Sequence, residues 1–584
     1  MAGRGVEGPG VDGRGVSGAV HERRRTSGRR THRRETSFLR ADSYPREAGE
    51  SRAATIAAFA TIVLAALLPG ALTAGSPRAL LGIPFEAVAL VLLMLVLPWR
   101  AARIVVAGLF AALVVAAIVL GGLDLAFMAT IDRPFQADGD WPQVVAAAGV
   151  VADTTGPVGL VVALALLAAV FAALVCALAA AALRAGRSVA GAGRGGRRVA
   201  FVVATAWIVG ALLGTQLTPG VPLASADAAR AIAGTTEQTA LGIREREAFE
   251  RALRADDYGP GEGLLSALAG KDVVFAFIES YGRVAIDGSS FSSGVERVLR
   301  DGGDRLARDG YLSRSAFLSS PTFGGVSWLA HSTLQSGLWV DTPQKYAQLT
   351  ASGRFTLARA FRDAGWSTVD VVPSNKEDWA AGSEFYRYGT ILDSRNLGYR
   401  GPAFSYARVP DQFTWRQFHD RMLTPGHAPV MAEIDFVSSH TPWTPLPTLL
   451  PWDELGDGSV YAPQAAAGDP PVVVWQDPAR VRQMYGASIQ YSLGALFSYL
   501  ETYDSPDLVL VVVGDHQPAR IVSGDDADHD VPITVIAKDP VVMARIDAWG
   551  WQPGVLPSRD APVWRMDAFR NRFFAAFSGA QSGR

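Results

Sequence analysis

Lys271-Asp-Val-Val-Phe-Ala-Phe-Ile-Glu-Ser280 is an apolar run too short and too rich in β-branched residues to cross a membrane, and it ends in a carboxylate. It reads as a buried strand delivering Glu279 to the C-terminal edge of a sheet, where open α/β folds bind ligands. A second such run, Leu508-Val-Leu-Val-Val-Val-Gly-Asp-His-Gln-Pro518, delivers Asp515 and His516 side by side. Between them lies Pro321-Thr-Phe-Gly-Gly-Val-Ser-Trp-Leu-Ala-His331, with Ser327 directly after two glycines and one residue and at the start of an apolar helical pattern. Gly324 and Gly325 permit backbone angles that other residues avoid. A hydroxyl at a helix N-terminus sits among unpaired N–H groups that favour an anion. The stretch therefore reads as a seat for a nucleophile, or as a plain loop-to-helix junction with Ser327 as the cap. Carboxylate, imidazole and hydroxyl oxygen at three strand ends make a plausible cage for a divalent cation.

From residue 272 onward, strand patterns alternate with helical ones. The spacing predicts strands at 272–279, 313–319, 367–373, 430–437, 507–513 and 531–537, and helices at 292–308, 326–337, 355–364, 412–422, 479–504 and 562–576. The alternation implies an α/β domain with a largely parallel sheet, and 479–504 feeding the Asp515 strand implies a crossover helix. Residues 441–475, rich in Pro, Gly and Asp, read as a long loop near the site.

The chain has 584 residues, too many for one domain. Its first part is strongly apolar. Five stretches, at about 54–73, 79–97, 103–127, 157–183 and 199–217, each approach the roughly 20 residues needed to span a bilayer. Arg100 and Arg103 follow the second, and Arg184, Arg187, Arg194, Arg197 and Arg198 lie between the fourth and fifth. The intervening loops are poor in basic residues, so the positive-inside rule puts the N-terminus in the cytoplasm and everything after residue 218 outside. Residues 1–52, with Arg23-Arg24-Arg25 and Arg29-Arg30, read as a disordered basic cytoplasmic tail. Residues 219–270 read as a connector with a charged helix from Ala226 to about Leu253, and 271–584 as the extracytoplasmic catalytic domain. The formal net charge of −2 gives no electrostatic case for nucleic acid. The single cysteine, Cys176, cannot form an intrachain disulfide and reads as a packing residue in an apolar run.

Ile278-Glu-Ser280, Gly-Gly-Val-Ser327 and Gly514-Asp-His516 resemble, in order and approximate spacing, the motifs of the alkaline phosphatase and sulfatase superfamily, in its membrane-anchored lipoteichoic acid synthase-like branch. The resemblance implies five transmembrane helices and an α/β sulfatase-like catalytic domain. It makes Glu279, Ser327, Asp515 and His516 the metal group, with Ser327 also the nucleophile. One divalent ion is implied, manganese or magnesium by that branch's precedent, and zinc also suits the mixed ligands. His440, in Ser439-His-Thr-Pro442, falls at the position of a substrate-binding His, and Trp379 where the branch packs a Trp on substrate. The Arg expected two positions later is Ala381, which departs from the pattern of a glycerol-phosphate site. Ser319-Ser-Pro-Thr-Phe323 lacks the Arg of a formylglycine sulfatase motif.

Outside the membrane there is no ATP, so the chemistry must run on esters already made. The implied activity is a metal-dependent phosphotransferase or phosphodiesterase acting through a covalent Ser327 intermediate on a membrane lipid or lipid-linked phosphoester, with an envelope glycan or lipid as acceptor. A phosphoethanolamine transferase or sulfatase-like hydrolase would use the same site. An inactive envelope scaffold is the reading from another class, and all four site residues standing in order argues against it. His529, in Asp528-His-Asp-Val-Pro532, is a candidate for binding non-bridging oxygens or protonating the leaving group, or else a turn residue. His331, one helical turn after Ser327, either touches the site or packs.

Overall fold

A computed structural model of the chain describes residues 52–579 apart from 75, 138 and 405, with the backbone alone at 146–157. Apart from Arg52, the expected basic tail lies outside the described residues.

The N-terminal part consists of apolar helices: α1 Arg52–Ala74, α2 Phe85–Val96, α3 Arg100–Ile131, α4 Trp141–Gly191 and α5 Gly193–Leu212. Among the described residues, four of them (α1, α3, α4 and α5) are long and apolar enough to cross a membrane. The second, with 12 residues, rises only about 18 Å against a hydrocarbon core of about 30 Å. Its expected span at 79–97 is interrupted by a 3₁₀ turn at Pro77–Leu81 and by Ile83–Pro84, which pairs with Ala224–Ser225. Val158, Leu164 and Leu167 of α4 face outward, as lipid-facing residues of a membrane protein do. Cys176 also faces outward and does not pack inside. Where helices meet, small residues let the backbones approach: Ala107, Ala111 and Ala117 of α3 and Ala182 and Ala185 of α4 are buried.

Helix α6, Asp227–Arg254, is the expected connector helix. It packs on α3 and on α9, Pro343–Thr350, a helix with no counterpart among the expected ones. Lys345 lies 3.5 Å from Glu245, and Gln348 donates to Glu250 at 3.3 Å.

Beyond it stands an α/β domain on a nine-stranded sheet. Its strands are β1 Asp272–Ile278, β2 Leu312–Ser319, β3 Ser367–Val372, β4 Thr390–Asp393, β5 Val430–Phe436, β6 Leu508–Gly514, β7 Asp530–Ala537, β8 Gln552–Pro553 and β9 Val563–Arg565. The spatial order is β8-β2-β7-β6-β1-β5-β3-β4, with β9 beside β2. Strands β6, β1, β5, β3 and β4 are parallel; β7 runs antiparallel to β6 and β2. Every residue of β1 and of β6 is buried, which explains their unbroken apolar sequence. The two faces pack into separate cores, one including Phe275, Phe361 and Phe573, the other Trp415, Tyr499 and Leu510.

The helices that cover the sheet include α7 Ser292–Arg308, α8 Ser327–Ser336, α10 Leu357–Asp363, α11 Asp411–Met422, α12 Pro478–Thr502 and α13 Phe569–Phe577. The expected helix 562–576 begins only at Phe569. Residues 563–565 form β9 instead, because that tripeptide reaches the free edge of β2.

Candidate active site

The parallel register carries Gly514 opposite Ile278, so the next residues, Asp515 and Glu279, emerge together at the C-terminal edge of the sheet. Ser327 reaches them from the first position of α8. Its approach loop is contorted: Gly324 has φ +68° and Val326, a β-branched residue, has φ +59°. Such a conformation costs a non-glycine residue on the order of 1–3 kcal/mol and clusters at functional sites. Ser327 is not a cap. Val326 holds the cap position without a side-chain bond, and the serine hydroxyl donates to Glu279 Oε2 at 2.9 Å and meets His516 Nε2 at 3.2 Å. His516 Nε2 lies 3.3 Å from Glu279 Oε1 and 3.6 Å from Asp515 Oδ2.

The surroundings orient these groups. Asp515 Oδ1 accepts the backbone N–H groups of Ser280 and His516, both at 2.7 Å. Ser280, itself at φ +57°, donates its hydroxyl to Glu279 Oε1 at 2.9 Å. His516 Nδ1 donates to the Gln517 carbonyl at 2.8 Å, which turns Nε2 toward the serine. Burial would raise the Glu279 pKa, but the imidazoles of His440 and His516 and its hydrogen bonds hold the carboxyl well below its ordinary range. Burial and the Glu279 charge push Asp515 up to about 7. His516 rises to about 9 because Asp515 and Glu279 outweigh its burial.

The cluster fits a cation. One ligand atom each from Glu279, Asp515 and His516 lies within 4.8 Å of the others. Asp515 Oδ2 is buried with no hydrogen-bond partner, an orphan that such an ion would satisfy.

The site opens into a cavity of about 650 Å³. Trp379 lines it, its indole N–H donating to the Tyr346 hydroxyl at 3.4 Å. His440 lines it too, stacked on Tyr406 with ring centroids 3.9 Å apart. No residue of 441–475 lines this cavity; that segment includes short helical turns and is pinned by Trp443 stacked on Trp475.

His529 is elsewhere and does not line the cavity. It meets the Ser320 carbonyl at 3.2 Å and Asp132, at the end of α3, at 3.3 Å. Arg520 pairs with the same Asp132. This contact fixes the far side of the nucleophile loop, and a Cβ on Gly324 would come within 1.8 Å of the Thr130 carbonyl. Nothing in the local sequence of Asp132 signals it.

Sequence reasoning also missed a second polar group along the same cavity: Asp370 of β3 and Glu433 and Asp435 of β5. His331 of α8 faces them, with Nδ1 3.0 Å from Glu433 Oε1 and 3.3 Å from Asp435 Oδ1. Its ring stacks on Phe277, centroids 3.8 Å apart. Burial and the neighbouring carboxylates push Asp435 up to about 7 and Asp370 well above its ordinary range. His331 rises to about 9 because those carboxylates outweigh its burial.

No family model matches the chain, and no curated protein matches it. Solved structures do. The lipooligosaccharide phosphoethanolamine transferase A of Neisseria meningitidis, an integral membrane protein, is 12% identical over 90% of this chain and 95% of its own, with a TM-score of 0.43. The phosphoglycerol transferase GacH of Streptococcus pyogenes is 11% identical over 58% of this chain and 86% of its own, TM-score 0.34. The lipoteichoic acid synthase LtaP of Listeria monocytogenes is 11% identical over 50% of this chain and 71% of its own, TM-score 0.30. At these identities and TM-scores the functional reading rests on the geometry of the site itself.

Proposed function

We propose that the chain is a membrane-anchored phosphotransferase or phosphodiesterase of the alkaline phosphatase superfamily, acting outside the membrane on a lipid or lipid-linked phosphoester. The observation that carries this reading is the Ser327 hydroxyl, hydrogen-bonded to Glu279 and His516 at the floor of a large cavity.

Glu279, Asp515 and His516, with Ser327, would hold one divalent cation, manganese, magnesium or zinc. Bound there, the ion lowers the pKa of the serine hydroxyl and offsets charge on the ester oxygens. Ser327 Oγ forms a bond to phosphorus as the bond from phosphorus to the alcohol oxygen of the donor breaks. The serine proton passes to water, and the departing alkoxide takes a proton from water or from His440, which water then reprotonates. An acceptor alcohol, or water, then attacks the phosphorus of the Ser327 ester, the bond from Ser327 Oγ to phosphorus breaks, and the attacking group's proton passes to Ser327 Oγ. His440 and Trp379 line the cavity, where they would flank the donor. His529 stands outside the substrate set, as a tie to the loop that follows α3.

The test uses detergent-solubilised protein with phosphatidylglycerol labelled in its headgroup phosphate. Diacylglycerol and a labelled glycerophosphoryl ester of Ser327 are expected, with transfer read as label in an added alcohol acceptor and hydrolysis as labelled free glycerol phosphate. Ser327→Ala should give neither product. Turnover persisting in that variant removes the covalent mechanism.

A further inference from the structure

Besides Glu377, five carboxylates line this cavity or its floor: Glu279, Asp370, Glu433, Asp435 and Asp515. Lys376 and Glu377, which also line it, offset one another. A phosphoester anion entering such a space meets acidic groups at two places, and one cation at Ser327 answers only the Glu279 and Asp515 part. The other three carboxylates stand together because β3 and β5 are parallel neighbours with Asp370 in register with Glu433, and because Asp435 lies two residues further along β5, on the same face.

Their hydrogen bonding is incomplete in a specific way. Glu433 is satisfied at Oε2, which accepts from Tyr388 at 2.7 Å and from Gln335, and at Oε1, which faces His331 Nδ1. That nitrogen carries a single hydrogen. Asp435 Oδ1 lies 3.3 Å from it and has no hydrogen bond. Asp370 is only 2% exposed, lines the cavity, and its Oδ2 is buried with no partner. Two buried carboxylate oxygens on neighbouring strands are thus left without a hydrogen-bond partner, where a native fold normally satisfies such groups.

One proton on His331 cannot serve two carboxylates, but one cation can. Ligand atoms from His331, Glu433 and Asp435 all lie within 4.8 Å of one another. The 3.0 and 3.3 Å separations come close to the edge, about 3.3 Å, of a tetrahedron whose metal–ligand bonds are about 2.0–2.1 Å. Mixed imidazole and carboxylate donors suit zinc or manganese. Phe277 stacked on the imidazole and Tyr388 bonded to Glu433 fix two of the ligands in place.

We propose that His331, Glu433 and Asp435, backed by Asp370, bind a second divalent cation beside the Ser327 site. The geometry stands whether or not the reaction proposed above is correct. The ion replaces the Nδ1 proton, gives Asp435 a partner, and leaves a cavity that admits an anionic ester.

The experiment counts ions on the full-length protein in detergent, stripped with EDTA and then equilibrated with Mn2+ or, separately, Zn2+. Two ions per chain are expected with at least one of the metals. Asp435→Asn and His331→Gln should each retain one, with affinity for the second ion reduced at least tenfold, while Asp515→Asn loses the other. Melting curves in EDTA verify that each variant is folded. One ion per chain with both metals, lost in Asp515→Asn and kept in Asp435→Asn, overturns the second site and leaves the Ser327 site standing. One ion lost in Asp435→Asn and kept in Asp515→Asn supports the second site and removes the cation from Ser327.

Discussion

Asp515→Asn separates the charge of this carboxylate from its structural bonds. Asn keeps an oxygen where Oδ1 accepts the N–H groups of Ser280 and His516 at 2.7 Å, so the local backbone should hold. What it removes is a buried charge whose pKa is raised from 3.8 to about 7, first by burial and then by Glu279. Raised carboxyls oppose folding: nothing is lost below pH 3.8, the cost grows as pH rises toward 7, and it is complete above. A carboxyl raised that far costs about 4 kcal/mol, and sharing charge with His516 lowers the recoverable part to between about 1 and 4 kcal/mol. In EDTA at pH 8 the variant should therefore melt several degrees above the wild type, and the gap should vanish near pH 4. A cation reverses the order. At 100 times its Kd, Mn2+ adds about 2.7 kcal/mol to a protein that binds it, and the variant should gain less. The assay is thermal melting in detergent at the two pH values with and without Mn2+. A variant that melts below the wild type in EDTA at pH 8, or that gains equally from Mn2+, refutes the reasoning.

Ser327→Ala should abolish phosphoenzyme formation and reduce turnover by at least 10²-fold, with the melting temperature changed little. Gly324→Ala puts a Cβ against the Thr130 carbonyl at a residue with φ +68°, so it should cost at least about 1–2 kcal/mol and speed hydrogen exchange at Arg520 to His529. Arg570, fully buried, pairs with Asp256 through Nη2 at 2.6 Å and Nη1 at 3.1 Å; Arg570→Met removes both bonds, leaves Asp256 with Arg354 at 3.2 Å, and should destabilise by about 1.5–3 kcal/mol, read in denaturant melts. For orientation, a Cys176→Ala background carrying Val541→Cys should react with an impermeant maleimide on intact cells, and one carrying Arg194→Cys should not. The opposite pattern inverts the proposed topology.

The strands that matter most were legible because their sequences carry their environment. Asp272–Ile278 and Leu508–Gly514 are buried along their whole length, and continuous Val, Phe and Leu with a polar residue at the end is what such a position selects. Glu279, Asp515 and His516 could be named as strand-end groups from that alone, whereas two glycines before a helical pattern left Ser327 open between a nucleophile and a cap until the motif resemblance joined it to them. The weak elements were not legible. Thr390–Asp393 and Val563–Arg565 are short, and become strands only because an open edge lies beside them.

The sequence by itself determined which segments lie in apolar surroundings and which polar residues end the buried strands, because burial period and turn chemistry act on neighbours in the chain. Only the tertiary structure decided what those residues face. Asp370 meets Glu433 because β3 lies beside β5, and Arg520 meets Asp132 across 388 positions. Such contacts depend on strand order and on how the helices and the sheet pack, which residues far apart in the chain settle together.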